Sequence, residues 1–212
     1  MEISSEDEKG ISQKELDFQE ELNRIAQEAG ISTTWSCTPY LVGSVPAFGE
    51  ICAWTESSAV VFANSILGAR TTRHGMESSL AAAFLGWVPE FGVLLTENRK
   101  ASIQVEVDAD MGSKSDWGAL GYFAGEIAGT EIPVFNGVDR IGPEEAKQLS
   151  ATLPYSGQGT TMFHIAGVTP EAPSLDSVLE PGREIRRITF GEKERREAYG
   201  KMTTLGKGEA VD

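Results

Sequence analysis

The stretch from Lys100 to Val107 alternates cleanly, with Ile103, Val105 and Val107 on one side and Gln104 and Glu106 on the other. Strand side chains point alternately to opposite faces, so this pattern confines the segment to a half-buried strand. The segments C-terminal to it narrow the fold further. A helix capped by Ser115 or Asp116 runs through Ile127 and closes at Gly129, and Pro143 at a first helical position opens another to about Leu149. Thr160 to Ile165 and Ile185 to Phe190 read as further strands, and Glu192 to Lys201 as a charged helix. Strands alternating with helices predict a layered α/β domain on a mixed or parallel sheet. Gly118, Gly121 and Gly125 recur along one helix; they predict a close approach of helix to sheet, at some cost in helix stability.

The first half is organised differently. Ser12 to Ala29 reads as an amphipathic helix: Ser12 with Glu15 fits a capping box, and Phe18, Leu22, Ile25, Ala26 and Ala29 share one face, with Gly30 as the stop. Ile31 to Ser36, short and rich in β-branched residues, is expected to be a strand leading to Cys37. Thr38-Pro39-Tyr40 turns the chain, and a Gly- and Pro-rich loop runs from Gly43 to Gly49. An apolar run from Ser57 to Leu67, with a serine cap and a stop at Gly68, is expected to be a helix, and Ser78 to Leu85 a second one ended by Gly86. Thr169 to Gly182, with three prolines, reads as a surface loop or a boundary. The expected organisation is a helix over residues 1–30, an α/β core over 31–190, and a charged helix with a frayed tail over 191–212.

Composition excludes some function classes. The formal net charge of −14 repels phosphate backbones and anionic membrane surfaces, so neither nucleic acid nor a membrane is an expected partner. No leader-like apolar segment occurs between Met1 and Gly10, and no apolar run approaches the ~18 residues of a membrane span. A cytoplasmic location is the expectation. Cys37 and Cys52 are the only cysteines, too few for a disulfide framework or for a cluster held by three or four thiolates.

Candidate chemistry concentrates at Glu56-Ser57-Ser58, Asn64 and Arg70-Thr71-Thr72-Arg73. Ser57 and Ser58 open a helix, where free amides and the dipole favour an anion, and Arg70 can fork onto a carboxylate or phosphate. Spacing alone fits equally a capped helix whose C-terminal arginine satisfies the dipole. Cys37, at the end of Trp35-Ser36-Cys37, reads as a thiolate ligand or as a small buried hydrophobe, and Cys52 as packing. His164 lies in an apolar strand, where a hydrogen-bonded core histidine is the commoner outcome than a base; His74 reads as solvent-facing. No P-loop, dinucleotide fingerprint, zinc spacing or Ser–His–Asp order is present.

Several of these segments together resemble the large subunit of the aconitase X family. They are Cys37-Thr-Pro-Tyr40, Pro46 to Glu50, Ala53 to Ser65 with Leu67 to Thr71, Glu97-Asn-Arg99, Gly118 to Tyr122 and Val168 to Ala172, within a match from about Gly30 to about Phe190. The resemblance implies an aconitase-like layered α/β/α fold and a hydro-lyase that removes water from a small anionic hydroxy acid. Mevalonate 5-phosphate is the favoured substrate and cis-3-hydroxy-L-proline the alternative. It implies an iron–sulfur cluster or a mononuclear iron with Cys37 as one ligand and the others outside this chain. It also implies a small swivelling subunit or domain that carries the base. Glu56, Ser57 and Ser58 are then the candidate catalytic residues, and Asn64, Arg70, Thr71, Arg73 and His164 the candidate substrate contacts. Leu94 and Ile51 stand where many relatives carry histidine, and Thr72 where asparagine is frequent, so a non-catalytic module of the same fold is the competing expectation.

Overall fold

A computed structural model describes residues 11–31, 33–157, 159–180, 182 and 184–203. The polar segment 1–10 and the tail beyond 203 lie outside the described residues. The chain divides into two units, Met1–Ser36 and Cys37–Asp212.

The first unit holds helix α1, Gln13–Glu28. Ser12 caps it: its hydroxyl accepts from the Glu15 amide, and the Glu15 carboxylate accepts from the Ser12 amide, so two orphan donors are satisfied reciprocally. None of its residues is buried. The strand expected from Ile31 to Ser36 does not form at its described residues. β-Branched composition alone carries no strand without a partner for its backbone.

The second unit is built on a four-stranded sheet of β1 (Ile103–Val107), β2 (Pro133–Asn136), β3 (His164–Ile165) and β4 (Arg186–Phe190), in the order β3-β2-β1-β4. Every pairing is parallel, with Val105 opposite both Phe135 and Ile188. Parallel neighbours need crossovers. Helix α4 (Lys114–Ala128) links β1 to β2, α5 (Pro143–Ser156) links β2 to β3, and the short α6 (Leu175–Val178) lies between β3 and β4. Of the expected strand from Thr160 to Ile165, only His164–Ile165 pairs, as β3. The expected loop from Thr169 to Gly182 instead contains α6, with Ala172 and Val178 buried.

One face of the sheet supplies Ile103, Val105, Phe135, Ile165 and Phe190 to a core closed by Trp117, Leu120, Ala124, Leu149 and Leu153 of α4 and α5. The opposite face packs Val134 against Val93, Ala101, Met162, Ala172 and Val178. The result is three layers, α/β/α. Helix α7 (Glu192–Met202) lies on α4, tied by the Tyr199 hydroxyl, which donates to the Asp116 carboxylate at 2.9 Å, and by Arg195 at 3.2 Å.

Two sequence expectations about α4 are corrected. Its cap is Ser113, in a capping box with Asp116, rather than Ser115 or Asp116. Its glycines face a helix, not the sheet: a Cβ on Gly121 would lie 2.8 Å from the Leu149 carbonyl oxygen of α5, and one on Gly125 would collide with the Leu153 carbonyl. These two glycines let α4 and α5 approach at backbone distance.

Candidate functional site

The segment from Glu50 to Trp54 runs parallel to that from Arg70 to Arg73, with Ile51 bridged to Arg70 and Trp54 to Arg73. The Arg70 amide donates to the Glu50 carbonyl at 2.8 Å, the Cys52 amide to the Arg70 carbonyl at 3.0 Å, and the His74 amide to the Trp54 carbonyl at 3.2 Å. The crossover is helix α2 (Ser57–Phe62), which continues as a π-helical turn, Ala63–Leu67. Residues Ala59 to Ser65 are buried, which is why an apolar run can span this connection. Gly68 ends it at φ +66°, and a Cβ there would collide with the Phe48 ring, so both conformation and space call for glycine. The helix is not capped by a serine: Glu56 is the N-cap, without a side-chain capping bond, and Ser57 is the first helical residue.

A single arginine ties this unit to the parallel sheet. Arg99 is 2% exposed. Its guanidinium donates to the carbonyls of Asn64 (3.0 Å), Ala69 (3.1 Å) and Val93 (2.8 Å), to the Asn64 side-chain oxygen (3.3 Å), and to the Glu171 carboxylate. Asn64 is equally committed. Its amide nitrogen donates to the Thr71 and Thr161 carbonyls at 2.8 and 2.9 Å, and its oxygen accepts from the Thr71 amide at 2.9 Å. The Thr71 hydroxyl donates to the Thr72 carbonyl at 3.2 Å. His164 donates from Nε2 to the Arg99 carbonyl at 2.7 Å, leaving Nδ1 buried without a partner. Burial, against the pull of the Arg99 carbonyl and Glu171, holds its pKa below the usual histidine value, so the ring is neutral. Asn64, Thr71 and His164 thus hold backbone in place around the π-helical turn.

Of the remaining predicted residues, Glu56, Ser57, Ser58 and Arg70 are half-buried and Arg73 is exposed. Arg70 donates to the Leu94 carbonyl at 2.5 Å and to the Thr96 hydroxyl at 3.0 Å. The Ser58 hydroxyl reaches Glu56 at 3.4 Å. Arg73 is exposed and its guanidinium lies over Gly159, where a Cβ would collide with it. Among the described residues, neither Arg73 nor the Ser57 hydroxyl has a hydrogen-bond or ion-pair partner. The ladder sets Arg73 beside Trp54, two residues before Glu56, so Arg73 and the Glu56-Ser57-Ser58 entry emerge at the same end.

Cys37 sits on the turn before a 3-10 helix, Pro39–Leu41. Tyr40 of that helix stacks on Phe62 of α2, ring centroids 3.7 Å apart and planes within 3°, and burial pushes its phenol up to about 12. The stack seats the Cys37 turn against α2, and the Cys37 thiol is exposed. Cys52 is different: burial pushes its thiol up to about 11, with Thr71 pulling the other way. Among the described residues, no group of three or more His, Cys, Asp or Glu side chains could hold a metal. An iron centre therefore does not fit the described residues alone.

Arg99 and Glu171 were not singled out from sequence, although each falls in a motif that carried the family resemblance. A buried arginine announces itself only through its tertiary partners.

A family model described as the aconitase X first domain matches residues 1–97, and one described as the aconitase X second domain matches residues 101–200. The chain belongs to the aconitase X family. It is 48% identical over 141 residues to the phosphomevalonate dehydratase large subunit of Methanothermobacter thermautotrophicus, covering 66% of this chain and 35% of that protein. It is 38% identical over 202 residues to the corresponding subunit of Methanocaldococcus jannaschii, covering 92% and 49%. The cis-3-hydroxy-L-proline dehydratase of Pseudomonas aeruginosa is 35% identical over 189 residues, covering 87% and 32%. The crystal structure of Thermococcus kodakaraensis aconitase X, holo-form, superposes with a TM-score of 0.81 at 35% identity over 92% of this chain and 49% of that one. The chain thus spans at most about half the length of these aconitase X relatives.

Proposed function

We propose that this chain is part of an aconitase X hydro-lyase large subunit and forms the anion-binding side of its active site. The observation that carries the reading is the pair of unpartnered polar groups, the Ser57 hydroxyl and the Arg73 guanidinium, at one end of the parallel ladder. An arginine exposed beside a free hydroxyl suits a carboxylate or phosphate better than a neutral ligand.

In this reading Arg73, Ser57 and Ser58 bind the acidic group of the hydroxy acid. Glu56, at the helix entry, orients the leaving hydroxyl. Arg70 braces the 94–96 turn behind the pocket, and Asn64, Thr71 and His164 hold the backbone that aims these groups. Cys37 supplies one thiolate to an iron–sulfur cluster or a mononuclear iron whose other ligands come from outside these residues. Such a metal acts as a Lewis acid on a leaving hydroxyl; the steps assigned to this chain are binding and orientation. The base that takes the proton next to the carboxylate belongs to a small subunit, and the assembly works in the cytoplasm. Mevalonate 5-phosphate is the favoured substrate because the relatives named for it reach 48% identity, against 35% and 40% for those named for cis-3-hydroxy-L-proline.

The test combines the chain with the unmatched part of a large subunit, a small subunit and iron, and follows both substrates by NMR. Arg73→Gln is expected to raise KM about 10- to 100-fold, the scale of one lost charge-assisted hydrogen bond. Dehydration of neither substrate, or an unchanged KM in the variant, would overturn the assignment.

A further inference from the structure

Helix α3 (Met76–Leu85) has no buried residue, yet its sequence is apolar nearly all round. Glu77 is its one charged side chain. Met76 is 72% exposed, Leu80 49%, Phe84 66%, and Trp87 just beyond the helix 80%. Steps of four residues place Met76, Leu80 and Phe84 on one continuous stripe, and Trp87 follows beyond the left-handed cap at Gly86. A helix that is hydrophobic all round belongs inside a protein, and a stripe of this length without charge is not a surface that water tolerates cheaply.

The groove beside α3 has the same character. A cavity of about 450 Å³ is lined by Ile51, Cys52, Ala53, Ser79, Ala82 and Trp87, among others. One wall is a free strand edge. Glu50, Cys52 and Trp54 aim their backbone groups at Arg70 and its neighbours, so those of Ile51 and Ala53 point the other way, into the groove. Unpaired backbone beside an apolar wall is a template for another chain.

We infer that α3 and the Ile51–Ala53 edge form the docking surface for that part of an aconitase X large subunit which these 212 residues do not match, whether it is carried on the same polypeptide or on a separate one. Two observations favour this occupant. The match covers 92% of this chain but only 49% of the Thermococcus kodakaraensis structure, so about half of that chain lies beyond the matched part. The stripe also has the composition of a permanent interface, apolar and almost uncharged.

The experiment mixes the 212-residue chain with the unmatched part of the Thermococcus large subunit and, separately, with the small subunit. It reads co-purification and acrylamide quenching of Trp87, with Trp87→Phe identifying that residue's signal. Shielding of Trp87 is expected only with the large-subunit part. Leu80→Glu with Phe84→Glu is expected to weaken that association about thirtyfold or more, the scale of a hot-spot side chain. Tyr155→Glu, on a residue 83% exposed elsewhere in the fold, is expected to leave it unchanged. The α3 variants remove no buried contact, so circular dichroism melts should match wild type. Lack of association with the large-subunit part, shielding by the small subunit, or concentration-dependent self-association blocked by the α3 variants would each overturn the inference. None of these outcomes depends on catalysis, so the inference and the proposed activity fail independently.

Discussion

Arg99 and Glu171, 72 residues apart, form a forked ion pair in which Nε donates to both carboxylate oxygens at 2.9 Å and a terminal nitrogen donates to one of them at 2.5 Å. The arginine side chain is 2% exposed and the glutamate 19%. Because the same guanidinium also holds three carbonyls and Asn64, the pair joins the π-helical turn to the segment after β3. Removing one partner leaves a buried charge uncompensated. Arg99→Ala is expected to lower the unfolding free energy by about 3–5 kcal/mol in urea titration. A loss under about 1 kcal/mol would mean that the pair contributes nothing beyond an exposed one.

The α4–α5 contact gives a test that separates neighbouring glycines. At Gly121 and Gly125 an added methyl meets the α5 backbone, and overpacking of that kind costs about 1–3 kcal/mol. At Gly118 the nearest atom is the mobile Cε of Met202 at 3.4 Å. Gly118→Ala is therefore expected to hold or raise the melting temperature, since alanine gains up to about 1 kcal/mol of helix propensity. Gly125→Ala is expected to lower it. Equal melting temperatures for all three variants would contradict the helix packing described.

How much of this was legible beforehand depended on how local the physics is. The Ile103–Val107 alternation and the Ser12–Glu15 box are decided within one strand or one turn, and both elements formed, although β1 is covered on both faces with Gln104 buried rather than half-buried as expected. The Ser113–Asp116 box was equally visible, but neighbouring Ser115 offered a competing cap. Ile31–Ser36 had strand composition without a partner. The parallel ladder of Glu50–Trp54 with Arg70–Arg73 escaped notice because its pairing depends on a helix folding between its halves. In the candidate site, an apolar strand already pointed to His164 as a hydrogen-bonded core residue, as its bond to the Arg99 carbonyl has it. The locking roles of Asn64 and Arg99 were not legible, because a hydrogen bond from residue 64 to residue 161 leaves no periodic trace in the chain.

The two cysteines should behave oppositely toward thiol reagents. Cys37 is exposed, whereas burial holds the Cys52 thiol protonated with a pKa raised to about 11. Only the thiolate reacts. Maleimide labelling at about pH 7.5 followed by peptide mass spectrometry is expected to modify Cys37 within minutes and Cys52 far more slowly. Labelling of Cys52 as fast as that of Cys37 in the native chain would show that burial does not hold its thiol protonated.

Acid should weaken the fold in two stages, both with the same sign. His164 has a folded pKa held below the usual 6.5 by burial. Between 6.5 and that lower value the unfolded chain takes up a proton that the native ring refuses, so the contribution is complete above 6.5 and is lost as pH falls. Asp116 titrates at lower pH. Burial pushes its carboxyl up, but hydrogen bonds from Ser113 and Tyr199 and the charge of Arg195 outweigh burial, and the net shift is downward from 3.8. Its contribution is present above 3.8 and lost below. Urea midpoints measured from about pH 8 to about pH 3 are therefore expected to decline first below about 6.5 and again below about 4. His164→Gln removes the titrating ring, so the first decline should vanish while the second, set by Asp116, stays. Persistence of the first decline in that variant would detach the buried ring from the acid response.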